Sequence, residues 1–531
     1  MNRLHLRPSV LHFCLVAAGQ LALVAAGTGF HREQCYEKVT EILRSDNSSI
    51  TLNPLIFVSV SDHTNPILTL DGCEQLCGSG TGWYPDSGPR LVQWFLPIIL
   101  LVSNMQFAPI GMERFLLILH LLGDPIDSTW SLLAKADSWS SCFSHAQKLL
   151  KEKIEIKSLA VINAATEEFT HSLDHALNFH TPNNRGLIIE TARTLSENRR
   201  NEILRTFFAI AMYVFQVFAA FVPAVGAASS PSGGRIGTAM LLSWLLSVVL
   251  LSNAIGDFGS LRNRQQIQAN FMERLGQQSD QDLCTQRTST LTLSPIGVQK
   301  EVQTPQEASM AWSGAIYCYR PNKRFLHASG WKLAFISVLP AAIAFGTAFA
   351  VLDTGPTYFS CRHILVIAVF SIWLISAIST SLLSWAPFAT GKYLWYIILI
   401  KDAVIAIATL ALIVASSCGL WNTCYCTSGA LVYGERGACV PLNPTNVFDR
   451  NNGVIYPAMV TTCLSFQICV FGAMLWVGWP GFRALWWSEN EKRAMSELRR
   501  YPWVSSIATQ TDAFKPQPLR ELSEEDIKDT P

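Results

Sequence analysis

Lys401 and Asp402 are neighbours inside an apolar run from Leu394 to Ser417. They lie about seven residues in, a depth of ~10 Å if the run is helical. Ionisable groups at such depth in a bilayer are expensive, and where they occur they mark proton, ion or solute pathways. Asn253 and Asp257, at the end of another apolar run, are candidates to meet them at a similar depth. In a competing arrangement the Lys401 ammonium snorkels to the interface while Asp402 caps or pairs with a neighbouring helix. Glu168, His171 and His175 fall at helical spacing, which puts a carboxylate and two imidazoles on one face. A di-metal bundle needs matching ligands from other helices, and no second Glu-x-x-His pair occurs, so this trio reads as a solvated polar face. There is no Walker loop, no GxGxxG and no nucleophile elbow. No catalytic, cofactor-binding or metal-binding residue is therefore assigned, and a non-enzymatic protein is expected.

Eight of the 14 cysteines are disulfide candidates: Cys35, Cys73, Cys77, Cys361, Cys418, Cys424, Cys426 and Cys439. Disulfides persist on the luminal or extracellular side of a membrane, and charge counting places all eight there. Spacing alone leaves the connectivity open. The simplest expectation has Cys73 and Cys77 serving an amino-terminal head while Cys418 to Cys439 staple the last luminal loop. No His lies between 418 and 453 to complete a usual metal site around Cys424 and Cys426. Asn47-Ser48-Ser49 is a glycosylation sequon on the same side, whereas Asn443-Pro444-Thr445 is blocked by its proline.

The elements that position these residues are membrane helices. Of 531 residues, 50% are apolar and 15% are charged, against about 25% charged in soluble domains. Mean hydropathy is +0.25. The 40 Lys and Arg nearly balance the 39 Asp and Glu, so no global field supports nucleic-acid binding. The chain reads as an all-α polytopic membrane protein, with the lipid bilayer as its first partner. Arg3 and Arg7, an apolar run from Val10 and small residues at Val24 to Ala26 make 1–26 a signal peptide. Seven transmembrane helices are expected near Leu91–Phe107, Thr206–Ala227, Ile236–Ile255, Trp331–Leu352, Ile364–Trp385, Leu394–Ser417 and Val454–Val477. The piece Ile110 to Leu122 is either interfacial or an extension of the first span. With the amino terminus outside, the cytosolic segments hold 28 of the 40 basic residues and the luminal ones 7, as orientation by positive charge requires.

Between the spans, 27–90 forms a small disulfide-bearing luminal head. Residues 108–205 form a cytosolic helical region whose stripe from Leu149 to Leu177 either packs against its own neighbours or docks on the membrane surface through Lys148, Lys151, Lys153 and Lys157 on its polar side. Thr181 to Asn184 breaks that helix. Spans two and three form a hairpin over 206–255, and 256–330 is a cytosolic loop with a flexible Gln, Ser and Thr linker at 276–310. Spans four to seven occupy 331–477 with the Cys-rich luminal loop 418–453, and 478–531 is a cytosolic tail. Ala342, Gly346 and Ala350 form a small-residue face on the fourth span.

The run Gly123-Asp124-Pro125-Ile126-Asp127-Ser128-Thr129-Trp130-Ser131-Leu132-Leu133, with Leu251-Ser252-Asn253-Ala254-Ile255-Gly256-Asp257-Phe258, resembles patterns in uncharacterised polytopic membrane proteins of filamentous fungi. The resemblance implies a polytopic membrane protein and a taxonomic setting, and no chemistry. The expected function is that of a sensor, receptor-like protein or scaffold of the secretory pathway, at the plasma membrane, with a cytosolic protein partner on 139–205. The alternative is a transporter or channel built on Lys401 and Asp402.

Overall fold

The computed structural model describes residues 29–44, 56–59, 66–84, 87–105, 112–165, 182–197, 203–219, 232–256, 328–354, 359–385, 392–443 and 454–485, with a few isolated positions between 267 and 274. The signal sequence, Asn47, the linker 276–310 and the end of the tail lie outside these. Two compact units divide the chain, one made of 1–138, 200–257 and 313–479, the other of 139–199, 258–312 and 480–531.

In the first unit the head contains α1 (Arg32–Arg44), β1 (Phe57–Ser59), β2 (Ile67–Thr69) and α2 (Leu70–Cys77). The Thr69 hydroxyl caps α2 by accepting the Gly72 N–H at 3.0 Å. Next come α3 (Ser87–Ser103) and α4 (Met112–Gly123), and after Asp124 α5 (Pro125–Leu149). The second unit takes the end of α5 together with α6 (Lys153–Ala165) and α7 (Pro182–Glu197). Pro182 opens α7 where a missing N–H costs nothing, so Pro182 to Asn184 is a helix start. Arg185 bridges Glu152 and Glu155 across this pair. Glu168, His171 and His175 fall in the undescribed stretch between α6 and α7.

The remaining elements of the first unit are α8 (Ile203–Ala219), α9 (Ser232–Leu241), α10 (Trp244–Ile255), α11 (Gly330–Asp353), α12 (Cys361–Trp385), α13 (Lys392–Cys418), α14 (Cys424–Thr427), α15 (Ala430–Gly437), β3 (Cys439–Pro441) and α16 (Ile455–Val477). Last comes α17 (Trp479–Leu485), which the unit boundary crosses after its first residue. Among the described residues five segments are long and apolar enough to cross a membrane: Ile236–Ile255, Gly330–Asp353, Cys361–Leu383, Leu394–Cys418 and Ile455–Val477. The other two expected spans are the 17-residue helices α3 and α8. A neutral polar clamp ties α10, α11 and α16 together. The Ser247 hydroxyl donates to Gln467 Oε1 at 2.7 Å, and Gln467 Nε2 donates to the Pro340 carbonyl at 2.9 Å. Such bonds add specificity where lipid offers helices no hydrophobic drive to associate. The close-packed face of α11 is Ala341, Ala344 and Ala348, one or two positions away from the expected Ala342, Gly346 and Ala350, and Gly346 is exposed.

The head and the last loop are one structure. β3 pairs antiparallel with β2, Thr69 opposite Cys439, to complete the order β1-β2-β3. Disulfides join Cys35 to Cys77, Cys73 to Cys424 and Cys361 to Cys426, with Cα separations of 5.2, 5.9 and 5.3 Å, all within the normal window. This corrects the expected stapling. Cys77 bonds within the head, Cys73 reaches the last loop, and Cys418 and Cys439 stand outside the bridges. The reason is the strand pairing, which brings segments 370 residues apart in sequence side by side.

The bridges put the head, the start of α12 and the end of α13 on one face of the membrane bundle. Helix α11 ends toward that face and begins about 36 Å away by helical rise. At its base the Ala328 N–H donates to both Asp137 carboxylate oxygens, at 3.0 and 3.1 Å. Position 137 of α5 therefore stands at the opposite face. Residues 112–138 fall in the same compact unit as the five apolar segments.

Candidate functional site

Helices α4 and α13 run antiparallel in close contact: Leu119 packs on Ala403 and Ala406, and Gly123 sits against the Asp402 backbone. A Cβ at Gly123 would lie 2.1 Å from the Asp402 carbonyl oxygen, so only glycine permits this approach. The short distance brings α4's last turn to the depth of the two ionisable residues. His120 Nδ1 lies 2.6 Å from Asp402 Oδ2, and both side chains are fully buried. Lys401 Nζ is 2.5 Å from Asp402 Oδ1. Asp402 is thus shared between a cation on its own helix and an imidazole on another.

Asp124 extends the cluster. It follows α4 and caps α5, its Oδ1 accepting the Asp127 N–H at 2.9 Å. Its Oδ2 accepts from the Thr380 hydroxyl at 2.9 Å and lies 3.5 Å from Lys401 Nζ. Lys401 also donates to Ser376 Oγ at 2.6 Å and Thr380 Oγ1 at 2.9 Å. The Ser376 hydroxyl lies 3.0 Å from Asp124 Oδ2 and 3.1 Å from Asp402 Oδ1, so its single proton serves one carboxylate or the other. Asp127 Oδ2 stands 3.9 Å from His120 Nε2. Four helices, α4, α5, α12 and α13, supply these groups, with α12 contributing the hydroxyls one turn apart.

The chemistry available is proton exchange and cation pairing. Among the described residues three carboxyls, one ammonium and one imidazole share this buried space. Uncompensated charge is heavily penalised where water is excluded, so a proton gained or lost at one of these groups bears on the others and on the packing of α4 against α13. Among the described residues no group of His, Cys, Asp and Glu is arranged to hold a metal ion.

Lys401 and Asp402 lie on α13 within a segment long and apolar enough to cross a membrane, in company the sequence did not name. Asn253 is elsewhere: its amide donates to the Asn104 and Val249 carbonyls, at 3.3 and 2.9 Å. It ties α10 to the residue that follows α3. Asp257 lies outside the described residues. His120, Asp124 and Asp127 escaped sequence reasoning, although a signal existed. Asp124-Pro125-x-Asp127 after an apolar run is an N-cap, N1 and N3 signature, and it opens a helix directly after the piece Ile110 to Leu122. No family model, no curated protein and no solved structure matches the chain.

Proposed function

We propose that this chain is a membrane transporter in which protons bind at the cluster of His120, Asp124, Lys401 and Asp402. The observation that carries the reading is the sharing of Asp402 between Lys401 and His120, next to a helix interrupted at Asp124 and Pro125. Interrupted helices at charged intramembrane sites are a recurring transporter device, because the freed backbone and side chains rearrange together. In this reading the seven expected spans all cross, and 1–26 is removed as a signal peptide. Asn47 is glycosylated, the head lies outside the cell, and the tail is in the cytosol of a protein at the plasma membrane. The test uses the full chain reconstituted in vesicles containing a pH-sensitive dye. A pH jump across the wild-type vesicles drives proton flux, and Asp402→Asn lowers it at least tenfold while the protein stays monodisperse. Equal flux in Asp402→Asn would refute the reading.

A second reading, as a sensor, receptor-like protein or scaffold, draws on the Cys361–Cys426 bridge. Through it, a ligand on the head pulls on α12, the helix that carries Ser376 and Thr380. In that case a cytosolic protein binds 139–205, and proximity labelling from that region recovers it.

A further inference from the structure

The first half of α5 is unlike the membrane-crossing helices around it. From Gly123 to Ser140 every residue except Trp130 is buried, although the sequence is half polar. A helix enclosed on all sides is ordinarily apolar all round. At 3.6 residues per turn, Asp124, Asp127, Ser128, Ser131, Lys135 and Ser138 fall within about a third of the circumference. His120 belongs to the same arc, because the Asp124 N–H still bonds to the His120 carbonyl at 2.8 Å and the Ser128 N–H to the Asp124 carbonyl at 3.1 Å. Helical phase therefore carries through the interruption. Leu133 lies diametrically opposite this stripe and is also fully buried. The stripe begins at the charged cluster and ends level with Asp137, at the base of α11.

Its hydroxyls are turned in a particular way. Ser131 donates to the Ser128 carbonyl at 2.8 Å and Ser138 to the Lys135 carbonyl at 3.1 Å. Their donors are spent on their own helix, which leaves oxygen lone pairs on the stripe. Ser128 is different: its hydroxyl is fully buried and meets no hydrogen-bond partner among the described residues. A buried hydroxyl without a partner costs about 1–3 kcal/mol, and internal water is the usual compensation where several polar groups converge.

We propose that this stripe of α5 is a hydrated path, with Ser128 holding its first water, along which protons pass between the His120 and Asp402 cluster and the face opposite the head. This deepens the proton-coupled reading above and rests on it. Water is favoured over a bound metal cation because no group of His, Cys, Asp and Glu among the described residues is arranged to hold one.

Hydration and transport are read separately. Ser128→Cys, Ser131→Cys and Leu133→Cys are made in the full chain, each a small change for a buried site. Each is exposed to a small cationic methanethiosulfonate reagent in vesicles, with wild type as the blank for the native thiols. The path requires Ser128→Cys and Ser131→Cys to react at least tenfold faster than Leu133→Cys. Equal rates at all three positions would mean general breathing of the helix, and no reaction at 128 or 131 a dry stripe; either result overturns the proposal. In the flux assay, Ser128→Leu is expected to cut proton movement at least tenfold, and Ser128→Ala to retain the fold. Loss of flux in Asp402→Asn with normal flux in Ser128→Leu sinks the path and leaves the transporter reading standing. Absence of flux in the wild type removes that reading, whatever the labelling shows.

Discussion

Gly123 sets the distance between α4 and α13, and through it the geometry of the whole cluster. Its missing side chain lets the Asp402 carbonyl approach to where a Cβ would stand. Gly123→Ala must push the helices apart or break the His120–Asp402 contact, and overpacking of this kind costs about 1–3 kcal/mol. The expected result is a lower temperature for loss of the monodisperse peak in detergent, together with reduced proton flux. A variant as stable and as active as the wild type would show that α4 yields at no cost. Lys401 and Asp402 were legible as residues because charge inside an apolar run is conspicuous. His120 was not, since a single histidine in a short apolar piece looks the same whether it faces headgroups or a carboxylate.

At the scale of elements, the interruption at Asp124 and Pro125 does two things. Pro125 removes one helical hydrogen bond, and Asp124 replaces it with a side-chain cap while turning its second oxygen to Lys401 and Thr380. A residue that caps a helix and also pairs a buried cation links backbone geometry to charge. The head shows a comparable economy. The Cys73–Cys424 bridge and the β2–β3 pairing hold each other in register, while Arg32 donates to the Pro441 and Leu442 carbonyls. Removing the bridge with Cys73→Ser is expected to loosen the head by roughly 3 kcal/mol. This would be read as about hundredfold faster hydrogen exchange at the amides of β2, with exchange in α11 and α16 unchanged. Exchange that does not accelerate would show that strand pairing alone secures the head. Neither this pairing nor the α11 register was readable beforehand. Cysteine spacing does not encode partners, and on an apolar helix every face is built of the same small residues.

For the whole molecule, the Asp137–Ala328 contact and the three disulfides fix two opposite faces, so α3, α4 and the start of α5 make a net single passage between them. Which side faces the cytosol is checked by glycosylation. A sequon introduced within 276–310 should stay unmodified, while Asn47→Gln should remove a mobility shift seen in the wild type. Modification in the 276–310 segment would invert the orientation.

The sequence by itself determined that this is a helical membrane protein, where its apolar segments lie and where its charges and cysteines concentrate, because transfer into lipid depends on composition over some twenty residues. Only the tertiary structure decided that Cys73 belongs with Cys424, that Asn253 leaves the charged pair alone, and that His120 and Asp124 join it. Those outcomes depend on which helices touch and at what depth. A single close approach at Gly123, invisible in any local pattern, brings them about.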